Sequence, residues 1–348
     1  MVQIKPFKVE EWMDKFETTP GVVNVAETCP SMTCLEGERL SAEDVIITQG
    51  AIGANFLTLY TLLGPGDHVV CVYPTYQQLY DVPRSLGADV SLWKLRTEDG
   101  FVPDVEEMEI LIKENTKAHL GERAPIPTNT LHSIAKVAQV RGIILFSDEV
   151  YRLFSTAELR GSAMCRHRQR HLGYKRTVVT GFMSKGFALA GIRVGWVATK
   201  DKTILLDIAS ARDYNTISVS QVDDQIASYA LSPAVQEPLV ARNMALARTN
   251  AKLLKHFVDD HDSICSWVEP KAGTTAFIQF KSNGEPVNDV DFCMDLLEKT
   301  KVFFCPGSHC FGDDQDFAGY VRVGYVCQTQ VLETGLKKLE GYIQSFLS

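Results

Sequence analysis

Three features are missing from this chain, and each absence disfavours a class of protein. No apolar run approaches the ~20 residues that cross a bilayer, and the N-terminal stretch MVQIKPFKVEEWMDKFE lacks the apolar core of a signal peptide. Positive charge is not in excess either, because the net charge is −8. We therefore expect a protein that has neither nucleic acid nor a membrane as its partner.

Paired cysteine spacing is also missing. The nine cysteines are scattered along the chain, which predicts no disulfide framework and fits a reducing compartment such as the cytoplasm. Cys305, His309 and Cys310 lie close together but have no second pair of ligands nearby, so we expect no metal site. The basic run RHRQRH at 166–171 is interpreted as a solvated loop.

The length of 348 residues suits two domains. From Val45 onwards, short apolar runs alternate with helical patterns, which predicts an α/β fold with a mostly parallel sheet flanked by helices. After about residue 200 the alternation stops, and a long helical pattern covers 233–260. We predict an N-terminal arm at 1–40, a large domain at 41–232 and a smaller α+β domain at 233–348.

One position breaks the alternation. Between the helices expected near 104–115 and 128–141 lies TKAHLGERAPIP, which is polar and carries Gly121 and two prolines. Two successive helices on a parallel sheet normally need a strand between them. The sequence therefore predicts that this strand is missing or badly degraded.

Two polar residues, Asp148 and Lys185, follow predicted strands, where ligands of open α/β sheets bind, and Arg193 lies eight residues after Lys185. Asp148 comes directly after the strand IILF, although a helix-capping role is an equal alternative. Lys185 follows TVVT among apolar residues and could form an imine, whereas most lysines lie at the surface. Arg193 suits a phosphate or a structural ion pair. None of the three is specific alone.

Their order and spacing are more specific. D-x-x-Y is followed by S-K and then by G-x-R-x-G-W, with 37 positions from Asp148 to Lys185 and eight from Lys185 to Arg193. This pattern resembles fold-type I pyridoxal-phosphate (PLP) enzymes of the class I/II aminotransferase family. The resemblance extends to ITQGAIGANFLTLYTLLGPGDHVVCVYPTYQQL at 46–79 and covers the chain from about Val45 to its C-terminus.

The resemblance implies roles around the cofactor, pyridoxal 5′-phosphate. Lys185 would carry it as an imine and act as the catalytic base, and Asp148 would keep the pyridine nitrogen protonated. Tyr151 would hydrogen-bond the phenolic oxygen of the ring, and Tyr76 would stack on the ring face.

The resemblance also implies anion-binding residues. The cofactor phosphate would contact backbone N–H groups of Ala51 and Ile52 and the side chain of Arg193, with Ser184 as a further cofactor-binding residue. Arg322, in YVRVGYV, would bind the substrate carboxylate; a structural arginine at a strand edge is the alternative.

The implied activity is amino-group transfer from an L-amino acid to a 2-oxo acid in a homodimer. A carbon–sulfur lyase, a cyclase resembling aminocyclopropane-carboxylate synthase or capreomycidine synthase, and an inactive shortened remnant stay open. Three departures favour the remnant. HLGERAPIPTN replaces the family's N-P-x-N-P-T-G-like segment, no tyrosine precedes the first strand to reach a partner's phosphate, and Phe182 replaces a hydroxyl residue. They predict weakened cofactor affinity and reduced stability.

Overall fold

The computed structural model describes residues 7–16, 19–24, 41–122, 126–151 and 174–346. The basic run at 166–171 lies outside these residues. So do positions 123–125 of the substituted segment and most of the stretch that precedes the first strand of the sheet. No helix in the described ranges is long and apolar enough to span a membrane.

The helices and strands follow the sequence patterns closely. The helices are α1 Lys8–Phe16, α2 Gly50–Leu62, α3 Gln78–Ser85, α4 Val105–Leu111, α5 Thr128–Arg141, α6 Met183–Gly186, α7 Lys202–Asp213, α8 Gln221–Ala230, α9 Pro233–Asp260, α10 Asp289–Thr300, α11 Gly307–Phe311 and α12 Thr329–Phe346. The strands are β1 Val23–Asn24, β2 Val45–Gln49, β3 His68–Tyr73, β4 Asp89–Lys94, β5 Thr116–Glu122, β6 Ile144–Asp148, β7 Thr177–Phe182, β8 Val194–Thr199, β9 Cys265–Trp267, β10 Thr275–Ser282, β11 Glu285–Pro286, β12 Val302–Phe303, β13 Cys305–Pro306 and β14 Tyr320–Gly324.

The chain divides into two compact units. The first runs to Val240 and includes Lys271–Gly273, and the second contains α1, Ala241–Pro270 and everything from Thr274 onwards. The boundary therefore falls inside α9.

A seven-stranded sheet forms the centre of the first unit, in the order β2-β8-β7-β6-β5-β3-β4. β8 runs antiparallel to both of its neighbours, and the other paired strands are parallel. Interior strands such as β3, HVVCVY, are buried at every position, as a sheet covered on both faces requires. The predicted α/β fold with a mostly parallel sheet is confirmed.

The second unit contains a smaller, mainly antiparallel sheet. Its strands follow the order β11-β10-β14-β13, and β9 also pairs with β10. The short strands β1 and β12 form a separate parallel pair. Together with α10 and α12, these strands confirm the predicted smaller α+β region.

The prediction of a missing strand is wrong. β5 pairs in parallel with β3 on one side and β6 on the other. Its residues Ala118, His119 and Leu120 are fully buried, and the His119 ring meets Trp93 edge-on at 5.5 Å between centroids. Hydrogen bonds from two flanking strands stabilise a segment whose own composition is poor for a strand. The reduced stability that we predicted from a missing strand is therefore without support.

His68, the first residue of β3, links three strands of this sheet. Its Nδ1 lies 2.7 Å from the Thr116 hydroxyl on β5, and its Nε2 lies 2.9 Å from the Ser91 hydroxyl on β4. The ring is fully buried. Burial, followed by the charge of Lys113, lowers the pKa of His68 from its ordinary value of 6.5.

Candidate active site

The carboxyl ends of β6 and β7 bring two of the predicted site segments to the same edge of the sheet. Asp148 is the last residue of β6 and lies level with Thr180 on the neighbouring β7. Five residues after Thr180, Lys185 lies half-buried in the short helix α6, whose flanking Met183 and Phe187 are core residues. The apolar setting expected for Lys185 is therefore present.

Asp148 is 2% exposed and is held by a chain of buried polar groups. The Asn55 amide donates to Asp148 Oδ2 at 2.7 Å, and the Val150 N–H donates to Oδ1 at 3.1 Å. The Thr180 hydroxyl in turn donates to Asn55 Oδ1 at 2.6 Å. Asp148 is thus more than a local helix cap, because a side chain from α2 bonds it.

Asn55 and Thr180 were missed by the sequence reasoning. Asn55 lies in the apolar helix GAIGANFLTLYTL and is 1% exposed. An amide at a buried position of such a helix needs a polar partner, because an unpaired buried polar group is costly. That mismatch was the available signal.

The N-terminus of α2 forms a second part of the site. Gly50 has a left-handed backbone with φ of +70°, and no side chain caps the helix start at Gln49. A Cβ placed on Gly50 would lie 2.7 Å from the Arg193 guanidinium, and one on Gly195 would lie 2.8 Å from the Ala51 nitrogen. Only glycines let these segments approach so closely.

Arg193 connects this helix start to the lysine segment. Its Nη1 donates to the Ala190 carbonyl at 3.0 Å and to the Ser184 hydroxyl at 3.3 Å. The structure therefore brings Ala51, Ser184 and Arg193 together. Their hydrogen-bond donors form one group, which carries the positive charge of Arg193. Such a group at a helix N-terminus favours an anion.

Three further predicted cofactor-binding residues, Tyr76, Tyr151 and Ile52, lie close in sequence to the elements of the site. Tyr151 follows β6 and is half-buried, as is Tyr76 just before α3. The Gln78 amide donates to the Ile52 carbonyl at 2.8 Å, which joins the start of α3 to the first turn of α2. Their roles toward a cofactor stay predictions.

Arg322 belongs to the second unit. It lies on β14, paired with Phe277 on one side and Cys305 on the other. Its Nη2 contacts Cys305 Sγ at 3.4 Å and Met13 Sδ at 3.9 Å, and its guanidinium lies 5.2 Å from the Phe311 ring centroid.

The two cysteines near Arg322, Cys305 and Cys310, interact with each other. A hydrogen bond with Cys305, together with burial, holds the pKa of the Cys310 thiol far above its ordinary value. His309 Nδ1 lies 2.7 Å from Asp314 Oδ1. Within the described residues, no three potential metal ligands gather at one place.

Comparison with known proteins identifies the class. The profile of the family "Aminotransferase class I and II" matches residues 35–339, so the chain belongs to this family of fold-type I PLP-dependent enzymes. The family implies pyridoxal 5′-phosphate as the cofactor.

Individual relatives carry different activities. Arginine–pyruvate transaminase from Pseudomonas aeruginosa is 33% identical over 87% of this chain and 75% of its own length. Capreomycidine synthase from Streptomyces vinaceus is 27% identical over 84% of this chain and 72% of its own. The crystal structure of a PLP-dependent aminotransferase from Streptococcus suis superposes with a TM-score of 0.86 at 30% identity, covering 99% of both chains.

Proposed function

We propose that this chain transfers the amino group of an L-amino acid to a 2-oxo acid, with Lys185 as its catalytic residue. The observation that carries the proposal is the grouping of Asp148, Lys185 and Arg193 with the start of α2 within one unit. The transaminase relative at 33% identity supports the reaction type.

The residues present fit the cofactor. A phosphate suits the uncapped start of α2, where Ala51 and Ile52 offer backbone N–H groups and Arg193 and Ser184 add side-chain donors. A protonated ring nitrogen suits the buried carboxylate of Asp148, which is acceptor-only when ionised. When bound, pyridoxal phosphate supplies an electron sink for the α-carbon of an amino acid.

The chain's own residues then direct the proton and the substrate. The negative charge of Asp148 would hold the ring nitrogen of the cofactor in its protonated form. The amine of Lys185 would move the proton of the substrate's α-carbon, first as a general base and then as a general acid. Tyr151 and Tyr76 would orient the ring, and Arg322 would bind the substrate carboxylate through its planar guanidinium group.

A cyclase is the second candidate, because capreomycidine synthase is a relative at 27% identity. Both reactions would begin with removal of the α-proton by Lys185, and they differ in whether the product is a 2-oxo acid or an amino acid that has lost a substituent. A carbon–sulfur lyase would likewise remove a substituent from the substrate. An inactive remnant is the third candidate: the three sequence departures still favour it, although the strand β5 is present.

Product analysis separates these reactions. The purified holoenzyme is incubated with amino acids, with and without an added 2-oxo acid. A new 2-oxo acid that forms stoichiometrically only with the acceptor supports the transaminase. Release of ammonia or thiol without any acceptor would instead indicate a lyase. Formation of a cyclic amino acid without any acceptor would indicate a cyclase.

We also propose a cytoplasmic homodimer. On α2, Ile52, Phe56 and Tyr60 expose 37%, 39% and 58% of their surface, one turn apart from each other. Apolar side chains spaced in this way on one helix face suit an interface between two copies. The cysteines in the described part of the chain are free thiols, which suits a reducing compartment. Sedimentation of the holoenzyme at twice the chain mass is the expected result.

A further inference from the structure

The Thr180–Asn55–Asp148 chain joins three elements of the first unit at one point. Thr180 comes from β7, Asn55 from the middle of α2 and Asp148 from the end of β6. The three residues are 0%, 1% and 2% exposed, so water does not compete for their hydrogen bonds. Both bonds are short, at 2.6 and 2.7 Å.

The Asn55 amide turns its NH₂ group toward Asp148 and its oxygen toward Thr180, which is the orientation that an ionised Asp148 requires. If the amide were turned over, its oxygen would face Asp148 Oδ2 at about the 2.7 Å that now separates nitrogen from oxygen. Two acceptors cannot face each other at that distance unless the carboxyl group carries a proton. With the NH₂ group toward Asp148, the Thr180 hydroxyl must donate to Oδ1, as it does.

The Thr180–Asn55–Asp148 hydrogen-bond chain therefore fits the ionised form of Asp148. Donors to a carboxylate stabilise its charged form, and a charge-assisted bond is stronger than a neutral one. A carboxylate stabilised in this way leaves the proton on a ring nitrogen opposite it instead of taking the proton itself.

We propose that Asn55, oriented by Thr180, is a positioning residue that fixes the direction and the charge of the Asp148 carboxylate toward the cofactor ring. This inference rests on the proposed role of Asp148. Through Asn55 and Asp148, α2 would then act on the ring nitrogen as well as on the phosphate of the cofactor.

Two variants interrupt the chain without adding charge. Asn55→Leu removes the donor to Asp148, and Thr180→Val removes only the hydroxyl that orients the amide. Thr180→Ser restores the hydroxyl. Thr58→Val is the matched control, because Thr58 lies on the same helix, is 0% exposed and donates only to Ala54 within that helix at 2.8 Å.

Three readouts are measured on each holoenzyme: the dissociation constant of pyridoxal phosphate, the pH dependence of its visible absorption when bound, and the loss of deuterium from Cα-deuterated amino acids. For Asn55→Leu we expect cofactor binding and deuterium loss to fall by roughly tenfold each, the typical size for a lost bond to a charged group. The pH dependence should shift. Thr180→Val should change all three in the same direction by less, and Thr180→Ser should return them toward the wild type.

A purely structural role would lower the melting temperature of Asn55→Leu and leave the pH dependence of the absorption unchanged, which would overturn the proposal. Should Asn55→Leu not fold, Thr180→Val decides by the same criterion. A wild-type enzyme that binds cofactor but releases no deuterium from any amino acid would contradict the proposed function alone. The affinity and absorption readouts would still test Asn55 in that case.

Discussion

Arg193 and Arg322 were both expected to bind an anionic group, yet their surroundings differ. The partners of Arg193 are oxygen atoms only three and nine residues away in sequence, and its guanidinium packs against Gly50. The described partners of Arg322 include two sulfur atoms, 17 and 309 residues away. A local motif thus defines most of the first environment, whereas the second depends on distant segments that no spacing reveals.

Asp148→Asn gives the largest expected effect, against which the effects of the two arginine variants can be compared. The amide keeps the shape of the side chain but cannot hold a ring nitrogen protonated by charge. We expect turnover to fall by at least about 100-fold, the order found when a preorganised electrostatic group is removed, with cofactor affinity changed far less. Turnover and cofactor titration measure the two quantities.

Asp44→Asn is the control for Asp148→Asn. Asp44 is also a buried carboxylate of the first unit, but it pairs with Lys200 and Lys202 away from the site. Turnover of the cofactor-bound Asp44→Asn variant should stay near that of the wild type. Wild-type turnover in Asp148→Asn would refute the role of that residue.

Exchanging each arginine for lysine tests the comparison directly. Lysine keeps the charge but loses the planar fork. Arg193→Lys should weaken cofactor binding by about tenfold and change the KM for the amino acid less, since about 1.4 kcal/mol is the typical scale of such a bond. Arg322→Lys should raise the KM by a similar factor and leave cofactor affinity unchanged. Equal effects of both variants on both constants would remove the distinction.

Gly50→Ala should have a smaller effect on the Arg193 side alone. Its φ of +70° is strained for alanine, and the new Cβ would lie 2.7 Å from the guanidinium. We expect a loss of about 1 kcal/mol or more in unfolding free energy and cofactor binding several-fold weaker. Gly64→Ala is the control, since a Cβ there meets nothing within 4 Å. Identical melting curves for the two variants would contradict the close approach.

The smallest effect is expected from His68. Its pKa in the folded chain lies below the ordinary 6.5, so below that pH the unfolded chain binds a proton that the folded chain does not. Stability is therefore full above pH 6.5 and decreases as the pH falls below it. Melting temperatures of the wild type and His68→Gln between pH 7.5 and about 5.5 measure this. An equal decrease in both would show that other groups cause it.

Most elements could be predicted because their patterns are local. The apolar runs VIIT, HVVCV and TVVT and the helices between them follow from periodicity and from the turn residues that separate them. β5 could not, because its stability comes from β3 and β6 on either side and not from its own residues.

The candidate site divides in the same way. Lys185 and Arg193 lie in one continuous motif, and Asp148 directly follows a recognisable strand. Asn55 stands out in its segment only as an amide in an apolar helix, and Thr180 is an ordinary strand residue. Only the folded structure shows that both belong to the hydrogen-bond chain of Asp148.

The central claim is that Lys185 holds the cofactor, and one measurement tests it most directly. The holoenzyme is reduced with borohydride, digested and mapped by mass spectrometry. We expect the cofactor on the peptide that contains Lys185, with loss of visible absorption and no labelling in Lys185→Ala. A cofactor attached to any other lysine, or a wild-type chain that takes up none, would contradict the account.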